Sequence, residues 1–405
     1  MFDVDKARRQ FPALSRVENG YPVAYLDGPG GTQVPQTVID AMSAVLSDGV
    51  SNLGGGFGAS LLADTVTDQA RQAMADLYNS HPGEIVFGQN MTSLTFALSR
   101  ALASNWQAGD AIVLTSLDHD ANFTPWVRAA TDRGVDVRVA EFDIETTLLD
   151  PAKVIELIDE HVRLVAVPYS SNALGTTVDI APIAAAAHKF EALVFVDAVH
   201  AGPHHLIDVL ELGCDFLVAS VYKFFGPHTG ALFGRRDLLA GGHAYKVRPA
   251  PSDPPGKWET GTQSFESLAG VTAAVDYIAS LGSDGATRRG SLEMAFAEIG
   301  EHEEELGRRF IEGLKRIPKA RLYGVPEMNQ DRGPTFAVSV EGHDPAAVVA
   351  HLAQHGIYVW AGHYYAVNAM ERLGVSDRGG LVRIGFVHYN TNSEVDRALE
   401  ALADL

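Results

Sequence analysis

The sequence predicts an α/β protein: a large layered domain on a mostly parallel sheet of the seven-stranded type, joined to a smaller C-terminal α+β domain. Three observations lead there. From about residue 20 to 240, short apolar runs alternate with helical patterns. The runs are nearly continuous, as LVFVD at 193–197 illustrates, and such strands are buried on both faces beneath covering helices. Beyond about residue 285 the order of elements changes, which marks a second unit.

In chain order, the helical patterns of the first region fall at 34–46, 64–78, 93–105 and 181–190. Its strands fall at 84–87, 111–116, 135–142, 162–168, 193–197 and 215–220. The breaker-rich stretch RPAPSDPPG, 248–256, closes the region, and a long helix is predicted over 265–280. A helix near 291–317, strands at 321–324 and 335–340, a helix at 345–355, a strand at 381–387 and a final helix follow. The boundaries are 1–20 for an N-terminal segment packing on the smaller domain and 21–264 for the large domain. A connecting helix takes 265–284, and the small domain 285–405.

A chain of 405 residues buries a substantial core without disulfides. Its 31 basic and 51 acidic residues give a net charge of −20, and no basic run or stripe points to a nucleic-acid partner. The lone cysteine, Cys214, excludes a disulfide framework or a cysteine metal site. The N-terminus lacks the apolar core of a signal peptide, and no stretch approaches the roughly 18 apolar residues of a membrane span. A cytoplasmic protein without membrane contact is expected.

Ligands of open α/β sheets gather at the carboxyl ends of the strands. Those ends carry Asp118-His119-Asp120, Tyr169-Ser170-Ser171-Asn172, Asp197 with His200, and Val221-Tyr222-Lys223. An enzyme that uses pyridoxal 5′-phosphate (PLP) needs a lysine to form a Schiff base and an acid to keep the pyridine nitrogen protonated. Asp197 and Lys223, on successive strand ends, suit those tasks. Singly, each reads as a turn residue or a solvated lysine; as a spaced pair they favour catalysis.

The string FVDAVHAGPHHLIDVLELGCDFLVASVYKFFGP resembles the cofactor-binding segment of class V aminotransferase-fold PLP enzymes, above all cysteine desulfurases and selenocysteine lyases. YLDGPGGTQVP, DHDANFTPW, YSSNALGT, WETGTQ, AGHYYA and LVRIGFVHYNT extend the likeness over almost the whole chain in the family's order. The resemblance implies PLP-dependent transferase fold type I and a homodimer with shared sites. It implies that His119 stacks over the pyridine ring, that Asp197 pairs with the ring nitrogen, and that His200 lies near the phenolic oxygen. Asn90 and Met91 (through backbone amides at a helix start), Ser220 and Tyr222 would hold the phosphate. Thr262 would reach the phosphate of the neighbouring subunit. Arg383 would clamp the substrate α-carboxylate, and Asn172 would assist there or at the phenolic oxygen.

Other readings compete. Asp118-His119-Asp120 could hold a metal, although adjacent residues rarely converge on one ion, and no metal is expected. A structural carboxylate could instead partner Arg383. Tyr222 could be packing and Asn172 a turn residue. His204 and His205 read as surface or helix-start residues. Gly54–Gly58 looks like a phosphate loop, but no GK[ST] ending follows it.

The pattern breaks on the substrate side. Tyr365 stands where the resemblance expects the persulfide-forming cysteine, and Trp360 where it expects a substrate-binding arginine. His200 replaces a glutamine, and SNLGGGFG lacks the usual basic residues. A phenol cannot carry a persulfide. The expected activity is therefore PLP chemistry on an α-amino acid, with carbon–sulfur lysis by β-elimination ranked first. Epimerisation or transamination follows, and a non-catalytic PLP-binding protein is the alternative from another class.

Overall fold

The computed structural model describes residues 2–282 and 285–405. Met1, Ser283 and Asp284 lie outside the described residues, and with them the end of the expected 265–284 connector. Seven strands form the central sheet: β1 (Ile85–Gly88), β2 (Ala111–Thr115), β3 (Asp136–Ala140), β4 (Val162–Pro168), β5 (Leu193–Asp197), β6 (Phe216–Ser220) and β7 (Gly230–Gly234). Their spatial order is β1-β7-β6-β5-β4-β2-β3. β7 runs antiparallel to both neighbours, and every other pairing is parallel.

β7 was absent from the predicted set. Its sequence, GALFG, is a three-residue apolar run between glycines, too short for a periodicity signal. Gly230 is required there for space: a Cβ would lie 2.5 Å from the Asn90 carbonyl carbon, and the helix Met91–Ala103 starts against that point. That helix and Thr124–Arg133, also unpredicted, cover one face of the sheet. The helices Gln36–Asp48, Gly58–Tyr78 and Phe265–Ala279 pack together over the other.

A second, antiparallel sheet follows, built from β8 (Ala320–Tyr323), β9 (Thr335–Val340), β10 (Trp360–Gly362) and β11 (Leu381–Gly385) in the order β8-β9-β11-β10. Its core of Leu306, Phe310, Phe336 and Phe386 is shared with the long helix Arg288–Leu314. The N-terminal stretch ties the two sheets together. Ala24–Tyr25 pairs in parallel with Ile357–Tyr358, and Asp27 bridges to Gly385 at the end of β11. Arg8 Nη1 donates to the Tyr389 carbonyl at 2.6 Å. The GPGG loop after Asp27 is thereby carried to the edge where the central strands end.

Candidate active site

Parallel strands that start together end together, so β4, β5 and β6 deliver their last residues to one edge. Asp197 closes β5; its Oδ1 accepts the Val199 amide at 2.9 Å. Burial pushes its carboxyl up to about 6, against that hydrogen bond and the Lys223 charge. Ser220 closes β6, and one short turn, Val221–Lys223, places the lysine beside Asp197. Lys223 Nζ donates to the Pro29 carbonyl at 2.5 Å. Its pKa falls to about 7, first by burial and then by the Arg383 charge, with Asp197 and Asp27 opposing. The lysine segment is braced from below: Thr32 Oγ1 accepts the Phe225 amide at 2.7 Å, and Phe225 sits at a positive φ of 70°.

These groups line a cavity of about 670 Å³ with His119, Asn172, His200 and the helix start Asn90–Ser93. Asn90 caps that helix, its Oδ1 accepting the Ser93 amide at 2.9 Å. The Met91 amide, expected to face a phosphate, donates instead to Ser220 Oγ at 3.0 Å, so these two expected contacts pair with each other. His119 Nδ1 accepts the Ala121 amide at 3.0 Å, and burial lowers its pKa to about 4, assisted by the Lys223 and Arg383 charges. His200 is buried and its pKa falls well below the ordinary value, again chiefly through desolvation. Tyr222 stacks on His228 at 4.7 Å, and Lys223 Nζ lies 4.9 Å from the Tyr222 ring centroid.

A second cavity of about 800 Å³ opens outward from the first and shares Lys223, His119 and Asn172 with it. Arg383, on β11, forms its floor. The guanidinium donates from Nη1 to the Asn172 carbonyl at 3.0 Å and lies over the Tyr364 ring at 4.5 Å. Its Nε has no partner, and no carboxylate among the described residues forms an ion pair with it. Burial lowers its pKa to about 10. The structural carboxylate weighed against a substrate is therefore not present as a bonded partner.

Tyr364 and Tyr365 both sit in the left-handed region, at φ 51° and 60°, a strain of about 1–3 kcal/mol each. Hydrogen bonds hold them there. Asn172 Nδ2 donates to the Tyr364 carbonyl at 2.9 Å, the Asp120 amide to the Tyr365 carbonyl at 2.7 Å, and Tyr364 Oη to the Leu381 carbonyl. The result is a Tyr365 ring stacked on His119 with centroids 5.5 Å apart.

The remaining expected residues fall elsewhere. Thr262 is exposed and lines a separate cavity, which touches this site only through Ser93 and His228. Asp118 turns away to Thr115 and Asn122, and Asp120 to Thr124, so the DHD triplet does not converge. No group able to hold a metal occurs among the described residues. Gly54–Gly58 is exposed, and its Gly54 and Gly55 amides bond Asp64 and Ser60, which counts against the phosphate-loop reading. His204 is not at the surface: it is buried and its Nδ1 lies 2.8 Å from Glu303 Oε2, because the long helix Arg288–Leu314 covers it; His205 is half-buried. Asp27, whose role the sequence did not signal, is raised to about 6 by burial and stands near Arg383 and Lys223.

The donor set fits PLP on this structure's own terms. His200 Nε2, Asn172 Oδ1 and Ser170 Oγ are buried without partners, and all three residues line the cavity that holds Asp197 and Lys223. The family model of class-V aminotransferases matches residues 24–398. The chain belongs to the class-V aminotransferase family. A cysteine desulfurase of Pectobacterium carotovorum is 31% identical over 99% of this chain and 97% of its own length. An aminotransferase-like protein of Gibberella zeae is 32% identical over 99% and 98%. The apo structure of the cysteine desulfurase from Thermococcus onnurineus superposes with a TM-score of 0.88 at 25% identity, covering 100% of this chain and 98% of that one. The protein is thus a PLP-dependent enzyme of fold type I, like cysteine desulfurases, which sets aside the non-catalytic reading. No helix among the described residues is long and apolar enough to cross a membrane.

Proposed function

We propose that this class-V enzyme is an α-amino acid carbon–sulfur lyase that works without an enzyme persulfide. One observation carries the reading: a lysine with a lowered pKa and an unpaired buried arginine face a joined cavity whose lining contains no thiol. The only cysteine, Cys214, is buried in the core ahead of β6, and burial pushes its thiol up, away from the reactive thiolate.

In this reading Lys223, Asp197, His119, His200, Asn172, Tyr222, Ser220 and the start of helix Met91–Ala103 hold the cofactor. Bound PLP supplies an electron sink for a carbanion at the substrate α-carbon. Arg383 holds the α-carboxylate. Lys223, with its proton affinity near neutrality, takes the α-proton, and the sulfur on the β-carbon leaves with its bonding electrons. Asp197, dry and close to Lys223, keeps the acid role expected of a ring-nitrogen partner. Leu46, Leu53, Phe57 and Leu61 are exposed in the single chain, and Thr262 lies outside the lining of its own chain's site. Both support a homodimer with shared sites.

Lys223→Ala tests the proposal. After borohydride reduction and denaturation the variant, unlike the wild type, should carry no covalently bound cofactor, and turnover should fall by a factor on the order of 10³, read as pyruvate, ammonia and thiol or sulfide release together. Unchanged activity would eliminate it.

A further inference from the structure

Trp360 and Arg383 are directly opposite residues of the antiparallel pair β10–β11, so both side chains leave the same face of the sheet. The neighbouring backbone confirms the juxtaposition: a Cβ on Gly30 would lie 2.9 Å from Trp360 Nε1 and 3.5 Å from Arg383 Nη2. The unpaired guanidinium therefore has an indole at its side. Trp360 is 55% exposed and Tyr365 is 65% exposed, yet both line the outer cavity. Phe96 and Pro125 complete an apolar wall around the same space.

The outer part of this cavity, lined by Trp360, Tyr365 and Pro125, offers more apolar surface than a free cysteine side chain can cover. Rigid backing matters as much as size. Tyr365 is fixed by the hydrogen bonds around its strained backbone, and Trp360 is held in a sheet. Aromatic rings so held present large apolar area at little cost in entropy.

We infer that the substrate is a cysteine thioether whose sulfur bears a flat or extended apolar group, seated among Trp360, Tyr365, Phe96 and Pro125 while its carboxylate lies on Arg383. This rests on the lyase reading. The reaction balances as R–S–CH2–CH(NH3+)–COO− plus water giving R–SH, pyruvate and ammonium. The Cα–H and Cβ–S bonds break, the sulfur leaves with the electron pair and takes up a proton, and water hydrolyses the released enamine.

The test titrates the PLP-loaded enzyme with S-benzyl-L-cysteine, L-phenylalanine, S-methyl-L-cysteine and L-alanine, following the cofactor's absorbance and tryptophan fluorescence. The two aromatic ligands should bind about tenfold or more tightly than the two small ones, the gain expected from covering one ring. Trp360→Ala and Trp360→Arg should each weaken phenylalanine more than alanine, and Tyr365→Ala gives a check should a Trp360 variant misfold. Equal affinity for large and small ligands would overturn the inference while leaving the lyase reading intact. No spectral response to any amino acid would overturn both. Tight aromatic binding without thiol from either thioether would support the pocket's apolar preference and sink the thioether assignment.

Discussion

Replacing Arg383 by alanine removes a buried cation that forms no ion pair with a carboxylate among the described residues. Arg383 is only 5% exposed; Nη1 is committed to the Asn172 carbonyl, whereas Nε has no partner and Nη2 faces Gly30. Two donors are thus left for a ligand carboxylate. A charge-assisted hydrogen bond contributes about 1.5–3 kcal/mol, so losing two costs at least about 3 kcal/mol, roughly 150-fold in affinity. The assay compares L-phenylalanine with phenethylamine, which lacks the carboxylate, on PLP-loaded wild type and Arg383→Ala. The amino acid should lose its full two orders of magnitude and the amine far less. A second readout follows from the charge. Arg383 is the largest neighbouring charge lowering Lys223, after burial itself. Removing it must raise the Lys223 pKa above about 7, and the neutral amine that captures the cofactor then appears only at higher pH. The acid limb of the cofactor-loading rate should move to higher pH in Arg383→Ala. Equal losses for acid and amine, with an unmoved limb, would refute the clamp.

Other substitutions probe the remaining parts. Asp197→Asn keeps the shape of the site but removes the acid; turnover should fall on the order of a hundredfold while the cofactor stays bound, and wild-type turnover would count against its role. Cys214→Ala should cost about 1 kcal/mol in a urea melt and leave turnover intact. Wild-type enzyme incubated with cysteine should accumulate no protein-bound sulfane sulfur, and finding it on Cys214 would contradict the persulfide-free reading. Glu303→Ala leaves the buried His204 ring without its partner and should lower stability by about 2–4 kcal/mol; an unchanged urea midpoint would show that the pair is not structural.

Much of this is legible in the sequence, for a physical reason. Strands buried on both faces are apolar at nearly every position, so β2, β4, β5 and β6 stand out as runs, and the polar residues at or just past their ends mark the functional edge. Asp197 and Lys223 became visible that way. β7 did not, because GALFG is too short and its glycines answer to a backbone contact with Asn90 rather than to strand propensity. His204 was misplaced because its partner Glu303 lies on a helix 99 residues away.

What the sequence determined by itself is the chemistry on offer: a lysine and an acid at successive strand ends, an arginine in an apolar run, and a single cysteine far from the tyrosine pair. Only the tertiary structure decided how those groups act on one another. It put Trp360 opposite Arg383, Tyr365 over His119, and the Asp27 charge near Lys223, and it left the guanidinium with no bonded carboxylate among the described residues. Residue identity sets what a group can donate or accept, a property carried locally along the chain. Its neighbours and its exposure to water depend on which distant segments pack against it, and those set its charge and its partner.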